Sequence, residues 1–417
     1  MGKLPLAFTP LIPSSKNPRI AAFLAVLWSL QGKSFVSDTL KKWREAQHPS
    51  KEDEALAQEI SNGTMKRQIT LDHYLHQLNP PRRLKLKEKV LIRTALYQYM
   101  MMDRIPLYAI VHETVEIAKA FCHSTFISLL NALLRKCEHQ VFDLPENHSI
   151  ESLSIRYSLP SSYIRELRKS YNEQEVLHIC ECSNTSPIPM VRARSSVQEK
   201  PVKWVINEPL HVFITDSISS YLNSEKFYIQ NVTPAYLMGW ACHGTFNPAT
   251  ILDLCASPGG KTLAAHDLFP QATLFANDVT REKLLTLEEN FEKYHLGVHL
   301  TMGKGEDYPT DKKFDLVIVD APCSNSGVYH KRAEARWRFS EENLRELNKM
   351  QLSLLKKASE LVTDQGEIWY LTCSIIPAEN ELLIESARST CGLTKIDQKT
   401  ILPNREGWDG GFCARLK

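Results

Sequence analysis

Two cysteine residues directly follow predicted β-strands, and together they are candidates for nucleophilic chemistry. Cys323 lies in an Asp-Ala-Pro-Cys-Ser run after an apolar strand over residues 314–319, and Cys373 lies in a Thr-Cys-Ser run after a strand over residues 366–371. Ligands of open α/β sheets bind outside the carboxyl ends of the strands, so both thiols are expected on the ligand-facing edge. A single cysteine is usually a small buried apolar residue. Two cysteines at strand ends instead favour covalent catalysis by a thiolate.

A strand, a turn of small residues and a helix start lie upstream of both thiols. The apolar strand covers residues 250–255, and the helix candidate runs to Leu268. Glycines in such a turn allow close approach of the backbone, and the helix N-terminus supplies amides, as in adenosine-binding turns of doubly wound sheets. A second strand ends at an acid suited to a ribose hydroxyl pair, and a third is followed by another acid. The predicted cofactor-binding residues are Cys255, Ala256, Ser257, Pro258, Gly259, Gly260, Lys261, Asp278, Glu306 and Asp320.

A thiolate beside such a cofactor suits methyl transfer to a cytosine ring. C5 of cytosine is too electron-poor to attack a methyl sulfonium directly, but a thiolate added at C6 turns the ring into an enamine with a nucleophilic C5. A hydrogen-bonding partner at N3 stabilises that adduct, and Asp320 is placed for this role at the end of its strand. The C5 proton must then leave and the thiolate must be expelled, a step that a second thiol can assist.

The same turn has a rival interpretation as the phosphate-binding loop of an NTPase. The Gly-Lys-Thr run at 260–262, together with an apolar strand ending in Asp320, imitates that motif. The motif needs another glycine five residues before Gly260, and Cys255 occupies that position. An acid at a strand end is also often only a helix cap or turn residue. Because the phosphate-binding motif lacks its first glycine, we favour the adenosine site.

The elements that must position these residues change character along the chain of 417 residues. Over residues 15–140, apolar residues recur three and four apart, which predicts helices only. From about residue 226, short β-branched runs alternate with helix-length segments, which indicates parallel strands with crossover helices. The predicted fold is an all-α N-terminal bundle over 1–140 and an α/β Rossmann-like domain over 226–417. Residues 141–225 are predicted to form a connecting subdomain.

Composition limits the partners and the compartment. The 50 basic and 48 acidic residues leave a net charge of +2, which says nothing about nucleic acid. The longest clean apolar run, residues 20–30, is too short to cross a bilayer, so no membrane partner is expected. The ten cysteines show no framework spacing, which favours free thiols in a reducing cytoplasm. Cys180 and Cys182 lack a second ligand pair, so no metal site is predicted.

Three clusters of basic residues are candidates for phosphate contacts. The first comprises Arg82, Arg83, Lys85, Lys87, Lys89 and Arg93, and a solvated helix face is the alternative for it. The second comprises Arg192, Arg194, Lys200 and Lys203. The third follows Cys323 and surrounds an aromatic side chain that can stack a base; it comprises Lys331, Arg332, Arg336, Trp337 and Arg338. Proximity to Cys323 favours RNA contact there, with the target base unpaired or flipped out.

Short motifs in the helical region are similar to those of a known RNA-binding domain. They are Glu-Ile-Ser-Asn-Gly-Thr at 59–64, Leu-Tyr-Gln at 96–98, Asp-Arg-Ile-Pro at 103–106 and Leu-Leu-Asn-Ala-Leu-Leu-Arg at 129–135. In combination they resemble the NusB-type domain over most of residues 15–140. The resemblance implies that the front of the chain binds RNA.

The motifs over residues 226–417 resemble those of the RNA 5-methylcytosine methyltransferase family. They are Ala-Ser-Pro-Gly-Gly-Lys at 256–261, Asp-Ala-Pro-Cys-Ser at 320–324 and Thr-Cys-Ser at 372–374. With the NusB-like front, the whole chain resembles the bacterial RsmB (Sun/Fmu) branch, which modifies small-subunit (16S) ribosomal RNA. The family usually has Asp where Glu306 stands.

The resemblance implies a role for each thiol and for the cofactor. S-adenosylmethionine is the expected methyl donor, Cys373 the nucleophile that attacks C6, and Cys323 the thiol that serves product release. DNA cytosine methyltransferases instead attack from the Pro-Cys cysteine and lack the Thr-Cys partner, so RNA rather than DNA is expected. An RNA-dependent NTPase and a non-catalytic RNA-binding factor are the alternatives. The two thiols and Asp320 favour the methyltransferase, since a binding module has no need of them.

Overall fold

The chain divides into two compact units, Met1–Arg165 and Glu166–Lys417. The computed structural model describes residues 14–80, 83–194, 204–206, 208–242 and 246–417. The division falls inside the segment 141–225 rather than at residue 140. The division into three parts therefore stays a prediction.

The first unit is helical, as the periodicity predicts. Its helices are α1 Pro18–Leu30, α2 Val36–Gln47, α3 Lys51–Lys66, α4 Gln68–Gln77, α5 Leu86–Met101, α6 Leu107–Phe121, α7 Ser124–Lys136 and α8 Ile150–Tyr157, while α9 Ser161–Leu167 crosses the division. The Asn17 side chain caps α1 by accepting from the backbone N–H groups of Arg19 and Ile20. Gly63 of α3 faces Tyr97 of α5 so closely that a Cβ would lie 1.8 Å from the tyrosine ring. This contact explains a glycine in the middle of a helix.

Residues beyond 140 continue the helical unit. Helix α8 packs on α4, where Thr70 Oγ1 donates to the carbonyl of Ile155 at 2.6 Å and the Ile69 N–H donates to Ser158 Oγ at 2.9 Å. Leu153 is fully buried. The helices of this segment are short and polar, so the sequence alone does not show a clear helical pattern there.

The second unit contains two sheets. A small antiparallel sheet has the strand order β2-β3-β1-β4, with β1 Met190–Ala193, β2 Trp204–Ile206, β3 His211–Ile214 and β4 Phe227–Ile229. The larger sheet has the order β10-β11-β9-β8-β5-β6-β7, with β5 Thr250–Asp253, β6 Thr273–Asp278, β7 Val298–Met302, β8 Phe314–Asp320, β9 Val362–Thr372, β10 Lys395–Ile401 and β11 Gly411–Leu416. Strands β5 to β9 run parallel, and β11 is antiparallel to both neighbours. The predicted α/β Rossmann-like class is confirmed.

Helices cover both faces of the large sheet. Helix α10 Glu173–Cys182 precedes the small sheet, and the helices on the large sheet are α11 Val232–Ala241, α12 Gly260–Leu268, α13 Arg281–Lys293, α14 Glu341–Leu361 and α15 Glu381–Cys391. Strand β8 shows the alternation of a buried strand: Leu316 and Ile318 join the cluster beneath α11 to α13, whereas Val317 joins the cluster beneath α14 and α15. A strand that is buried on both faces has a continuous apolar sequence, so the bounds of β8 could be predicted from the sequence.

The order of strands brings the two cysteine-bearing loops together. Strands β8 and β9 are parallel neighbours, and Asp320 lies opposite Leu371 in their register. Cys323 and Cys373 follow this pair of residues by three and two positions. Both thiols therefore emerge at the same carboxyl edge of the sheet, next to the end of β5.

Candidate active site

The thiols of Cys323 and Cys373 lie in contact, with 3.2 Å between their sulfur atoms. Both are free, half-buried cysteines that line one cleft. Asn325 adopts a left-handed backbone conformation (φ 59°) just after Cys323, and its side chain faces both loops. Its Nδ2 donates to the Cys323 carbonyl at 2.9 Å, and its Oδ1 lies 3.4 Å from Cys373 Sγ. Asn325 was not among the site residues predicted from the sequence.

The surroundings of the two thiols favour opposite protonation states. The hydrogen bond from Cys323 lowers the pKa of the Cys373 thiol, against the effect of burial, and the Arg332 guanidinium lowers it further. The same hydrogen bond, together with burial, raises the pKa of Cys323. Cys373 is therefore the better thiolate, and Cys323 is the thiol that donates to it.

Lys261 and Asp320 form an ion pair at the wall of the cleft. Lys261 Nζ donates to Asp320 Oδ2 at 2.5 Å, and 29% of the Asp320 side chain stays exposed. Burial opposes the charge of Lys261, but the Asp320 carboxylate outweighs it and raises the pKa of the lysine. Asp320 thus presents a carboxylate, and Lys261 a proton donor, close to the two thiols.

The carboxylate at the end of β6 holds the turn after β5 in place. The buried Asp278 carboxylate, at the end of β6, accepts from the Ser257 N–H at 2.9 Å and from Lys283 Nζ at 2.8 Å. Gly259 has φ +102°, and a Cβ there would lie 2.9 Å from the Phe291 ring. The open side of this glycine thus faces α13 rather than the cleft, so it serves packing of the turn.

The interior of the same turn differs from a phosphate-binding loop. Thr262 is buried, and its hydroxyl donates to Asp253 Oδ2 at 2.7 Å. Burial raises the pKa of the Asp253 carboxyl to about 7. Lys261 is paired with Asp320. An NTPase needs that hydroxyl on a metal ion and that lysine on phosphates, so the arrangement disfavours the NTPase interpretation.

The cleft has a volume of about 560 Å³, within the usual range of small-molecule sites. Its lining brings together most of the predicted residues, namely Cys255, Ser257, Pro258, Lys261, Asp320, Cys323 and Cys373. Ala256, Gly259, Gly260 and Asp278 lie beneath this lining, and Glu306 lies in the short turn Gly305–Asp307 after β7. A cleft with carboxylates at its strand ends and a backbone turn fits a ligand that carries an adenosine and a cationic sulfonium.

Comparisons with known proteins agree with this geometry. The family described as 16S rRNA methyltransferase RsmB/F matches residues 245–417, which contain both thiols, and the NusB family matches residues 16–139. The chain thus contains an RsmB/F methyltransferase domain and a NusB-family domain. Ribosomal RNA small subunit methyltransferase B of Yersinia pseudotuberculosis is 29% identical over 399 residues, which cover 88% of this chain and 91% of that protein. The protein of the same name from Yersinia pestis is equally similar.

Solved structures share the fold of this chain. The crystal structure of PH0851 has a TM-score of 0.77 at 20% identity and covers 99% of both chains. A methyltransferase homologue from Pyrococcus horikoshii has a TM-score of 0.51 at 20% identity and covers 62% of this chain and 99% of its own. At these identities the likeness concerns the fold alone.

The basic cluster after Cys323 requires one correction. Arg336, predicted to contact RNA, is fully buried, and its guanidinium donates to the carbonyls of Ser183 and Tyr329 at 2.7 and 2.9 Å. It ties the turn Ala335–Arg338 to the end of α10 and is closed to phosphate. Lys331, Arg332 and Arg338 are exposed and Trp337 is half-buried, so their contact with RNA stays a prediction.

The two other basic clusters contain arginines that form ion pairs within the protein. Arg93 is buried and donates to both carboxylate oxygens of Asp72 at 2.8 and 2.7 Å. Arg192 is fully buried and pairs with Asp267, which also binds Arg194 at 3.0 Å. Arg93 is paired with the half-buried Asp72 and Arg192 with the buried side chain of Asp267, so both arginines are engaged within the protein. Arg82, Lys200 and Lys203 lie outside the described residues.

Neither a membrane-spanning helix nor a metal-binding cluster is found among the described residues. No helix in the described ranges is long and apolar enough to cross a membrane. Within the same ranges, no three His, Cys, Asp or Glu side chains cluster in a way that holds a metal ion.

Sequence reasoning also missed groups that only the fold brings to the site. Asp409, from the loop before β11, lines the cleft, where Lys331 Nζ donates to it at 2.9 Å and His330 lies 3.1 Å away. Glu379 is buried behind both thiol loops. Asp409 is far from the motifs in sequence, whereas Glu379 follows the Thr-Cys-Ser motif by five residues but belongs to none of them. A carboxylate in a polar run gives no signal of burial until its neighbours are known.

Proposed function

We propose that this protein uses S-adenosylmethionine to form 5-methylcytosine in small-subunit ribosomal RNA, with Cys373 as a covalent nucleophile. The observation that carries the proposal is the pair of thiols 3.2 Å apart, in a cleft that also contains the turn after β5. The names of the family and of the Yersinia relatives support the ribosomal target. S-adenosylmethionine, when bound, supplies the electrophilic methyl group, and residues 255–261, Asp278, Glu306 and Asp320 would hold it.

The reaction begins with attack by Cys373. Its thiolate forms a bond to C6 of the flipped-out cytosine, and the electrons of the C5=C6 double bond move into the ring, which makes C5 nucleophilic. Asp320 and Lys261 form the polar wall where N3 of the base would lie, and their hydrogen bonds stabilise the charge that develops on the ring. The base is thereby prepared for methylation at C5.

Release is the second half of the reaction. The C5 proton must pass to a base, and its bonding electrons restore the C5=C6 double bond while the Cys373 sulfur departs with the electrons of the S–C6 bond. We assign the assistance of this step to Cys323, which contacts Cys373 directly. The raised pKa of Cys323 keeps it protonated during the attack, so it does not compete as a nucleophile.

The RNA contacts are assigned by charge and position. Lys331 and Arg332 line the cleft beside the thiols. Arg338 and Trp337 follow in the same segment and extend it with a charge and an aromatic face. The NusB-family domain is expected to add affinity for RNA without contributing to the chemistry.

Direct measurement of the product tests the proposal. Ribosomal RNA from a strain that lacks this gene should gain 5-methylcytosine when incubated with the protein and S-adenosylmethionine, as detected by mass spectrometry of nucleosides. ATP should not replace the methyl donor and should not be hydrolysed. Bisulfite sequencing of the product would then locate the nucleotide. Methylation at another atom of cytosine, or none, would contradict the proposal.

A further inference from the structure

A single buried carboxylate lies behind both thiol loops. Glu379 lies in the short turn Pro377–Glu379 after β9 and is fully buried. Its Oε1 accepts from the Ser324 N–H at 2.8 Å and from Gln351 Nε2 at 3.1 Å. Its Oε2 accepts from the hydroxyls of Ser324 and Ser374, the latter at 2.5 Å. Four donors from three different segments thus converge on this one side chain.

The two serines that bind Glu379 are the direct neighbours of the two cysteines. Ser324 directly follows Cys323, and Ser374 directly follows Cys373. Each serine reaches Glu379 with its hydroxyl, so the carboxylate ties together two loops that are 50 residues apart in sequence. A shift of either loop would remove a donor from a buried charge, which is costly.

Neighbouring bonds fix the backbone on both sides of Cys373. Thr372 Oγ1 donates to Asn380 Oδ1 at 2.7 Å, and Asn380 Nδ2 donates to the Ser374 carbonyl at 2.9 Å. The Gly327 N–H donates to the Cys373 carbonyl at 3.0 Å, which joins the two loops a second time. The turn after β9 therefore acts as a frame for the thiols without touching the cleft.

We propose that Glu379 is a positioning residue that holds the Cys323 and Cys373 thiols in contact, so that attack and release occur at one base. The proposal rests on the proposed function, because that function gives the two thiols successive roles. Their spacing is nevertheless a property of the protein alone. It can be measured without RNA and without cofactor.

Glu379→Gln changes the network with little change in volume. The amide keeps one oxygen acceptor but replaces the other with an NH₂ group, which cannot accept from the donors on that side. Either the two serine hydroxyls or the Ser324 N–H and Gln351 must lose their acceptor. The loops are then no longer held by the same group.

The first readout is the rate of cross-linking between the two thiols. Diamide accepts the two thiol hydrogens and is reduced to its hydrazine, while the two sulfurs form a disulfide. Peptide mapping without reductant identifies the Cys323–Cys373 link among the ten cysteines. We expect Glu379→Gln to form it roughly tenfold more slowly than the wild type, because the sulfurs are held apart for more of the time.

The second readout is the kinetics of methyl transfer to ribosomal RNA. Misplacement of reacting groups by about 1 Å can cost about 100-fold in rate. We therefore expect kcat to fall by about that factor, while KM for RNA changes by less than about threefold, because Glu379 does not contact the substrate.

Glu367→Gln is the matched control. Glu367 is also a buried glutamate of the second unit, and it accepts from Arg415 at 2.6 Å and from Trp369 at 3.0 Å, within β9 and away from the thiol loops. This variant should lose stability but keep the wild-type rate of cross-linking and the wild-type kcat. Equal effects of the two substitutions would mean that Glu379 is merely structural.

The outcomes separate the two proposals. Wild-type cross-linking in Glu379→Gln overturns the positioning role. A wild type that does not methylate RNA overturns the proposed function, while the cross-linking rates still decide the role of Glu379. Should Glu379→Gln fail to fold, Ser324→Ala and Ser374→Ala each remove one hydroxyl from the network. Wild-type cross-linking in both of these variants would overturn the role as well.

Discussion

At the scale of single residues, two identical side chains acquire different chemistry from their neighbours. Cys373 accepts a hydrogen bond from Cys323 and lies near the Arg332 guanidinium, and both features favour its thiolate. Cys323 is the donor, and its thiol form is favoured. In the proposed reaction, this difference suits Cys373 to attack and Cys323 to release.

Removal of the donor should change the reactivity of Cys373 in a defined direction. Because the hydrogen bond lowers the pKa of Cys373, alkylation of the wild type should persist down to a lower pH than is usual for a thiol. Cys323→Ala removes the donor, so the midpoint should move to higher pH, and reactivity should be lost where the wild type retains it. Iodoacetamide labelling across pH with peptide mapping measures both midpoints. Cys242→Ala, outside the cleft lining, is the control, and an unchanged midpoint in Cys323→Ala would refute the hydrogen-bond assignment.

Site residues were predictable where chemistry leaves a local mark in the sequence. The two thiols, Asp320 and Lys261 each lie in a short motif next to a strand end, and the fold brings all four into one cleft. Arg336 looked equivalent to the arginines beside it, but it is buried against carbonyl groups. The burial of a charged side chain depends on residues that are distant in sequence, so composition and spacing could not reveal it.

At the scale of elements, the turn between β5 and α12 is held in one conformation by packing from α13 and by the end of β6. Gly259 has a positive φ and packs against Phe291, and the Asp278 carboxylate accepts a hydrogen bond from the Ser257 N–H. The backbone amides of the turn are therefore oriented before a ligand arrives. Such preorganisation reduces the cost of binding.

Gly259→Ala should destabilise the second unit by about 2–4 kcal/mol, which combines the cost of a left-handed conformation with that of an overpacked contact. Gly297→Ala is the control, because a Cβ there meets no atom within 4 Å. Urea unfolding of the full-length protein, followed by intrinsic fluorescence, measures the transition of the second unit in both variants. Equal stability of the two would mean that the turn is not constrained as described.

The strand-end acid of β6 should contribute to cofactor affinity. Asp278→Ala leaves the Ser257 N–H and Lys283 Nζ without their acceptor. Binding of S-adenosylmethionine should therefore weaken by about 1–3 kcal/mol in calorimetry. Glu306→Ala, measured in parallel, tests the other predicted acid, which lies in the turn after β7. Unchanged affinity in Asp278→Ala would remove that residue from the site.

Elements differed in how well the sequence predicted them. Strands β6 and β8 end at the predicted acids. The apolar run at 20–30 corresponds to α1, but the periodicity over 15–140 gave no separate bounds for the helices that follow. Strands β1 to β4 have three or four residues each, too few for a periodic pattern. The antiparallel β10 is polar and half-exposed, so its sequence does not resemble a buried strand.

At the scale of the whole molecule, the cleft and the NusB-family match lie in different units. Every residue that lines the cleft lies between Thr233 and Gly411, within the second unit. The NusB-family match lies within the first. We therefore expect the second unit to carry the chemistry and the first to add affinity for RNA.

A fragment of residues 159–417 should keep cofactor affinity within about threefold of the full chain and should bind ribosomal RNA more weakly. It begins between α8 and α9, since α8 packs on α4 and a cut at residue 141 would separate them. Calorimetry and filter binding measure the two affinities. A folded fragment that no longer binds the cofactor would show that the first unit contributes to the site.

The most direct test of the account compares two single substitutions at the thiols. Each variant is incubated with unmodified ribosomal RNA and S-adenosylmethionine labelled in its methyl group, and the products are separated on a denaturing gel. Cys373→Ala should form no covalent complex and transfer no label, because the residue that adds to C6 is gone. Cys323→Ala should add to the base, transfer the methyl group and then stall, so that a labelled protein–RNA complex survives denaturation. A complex from Cys373→Ala alone would reverse the two roles, and the absence of a complex from both variants would contradict covalent catalysis by this pair.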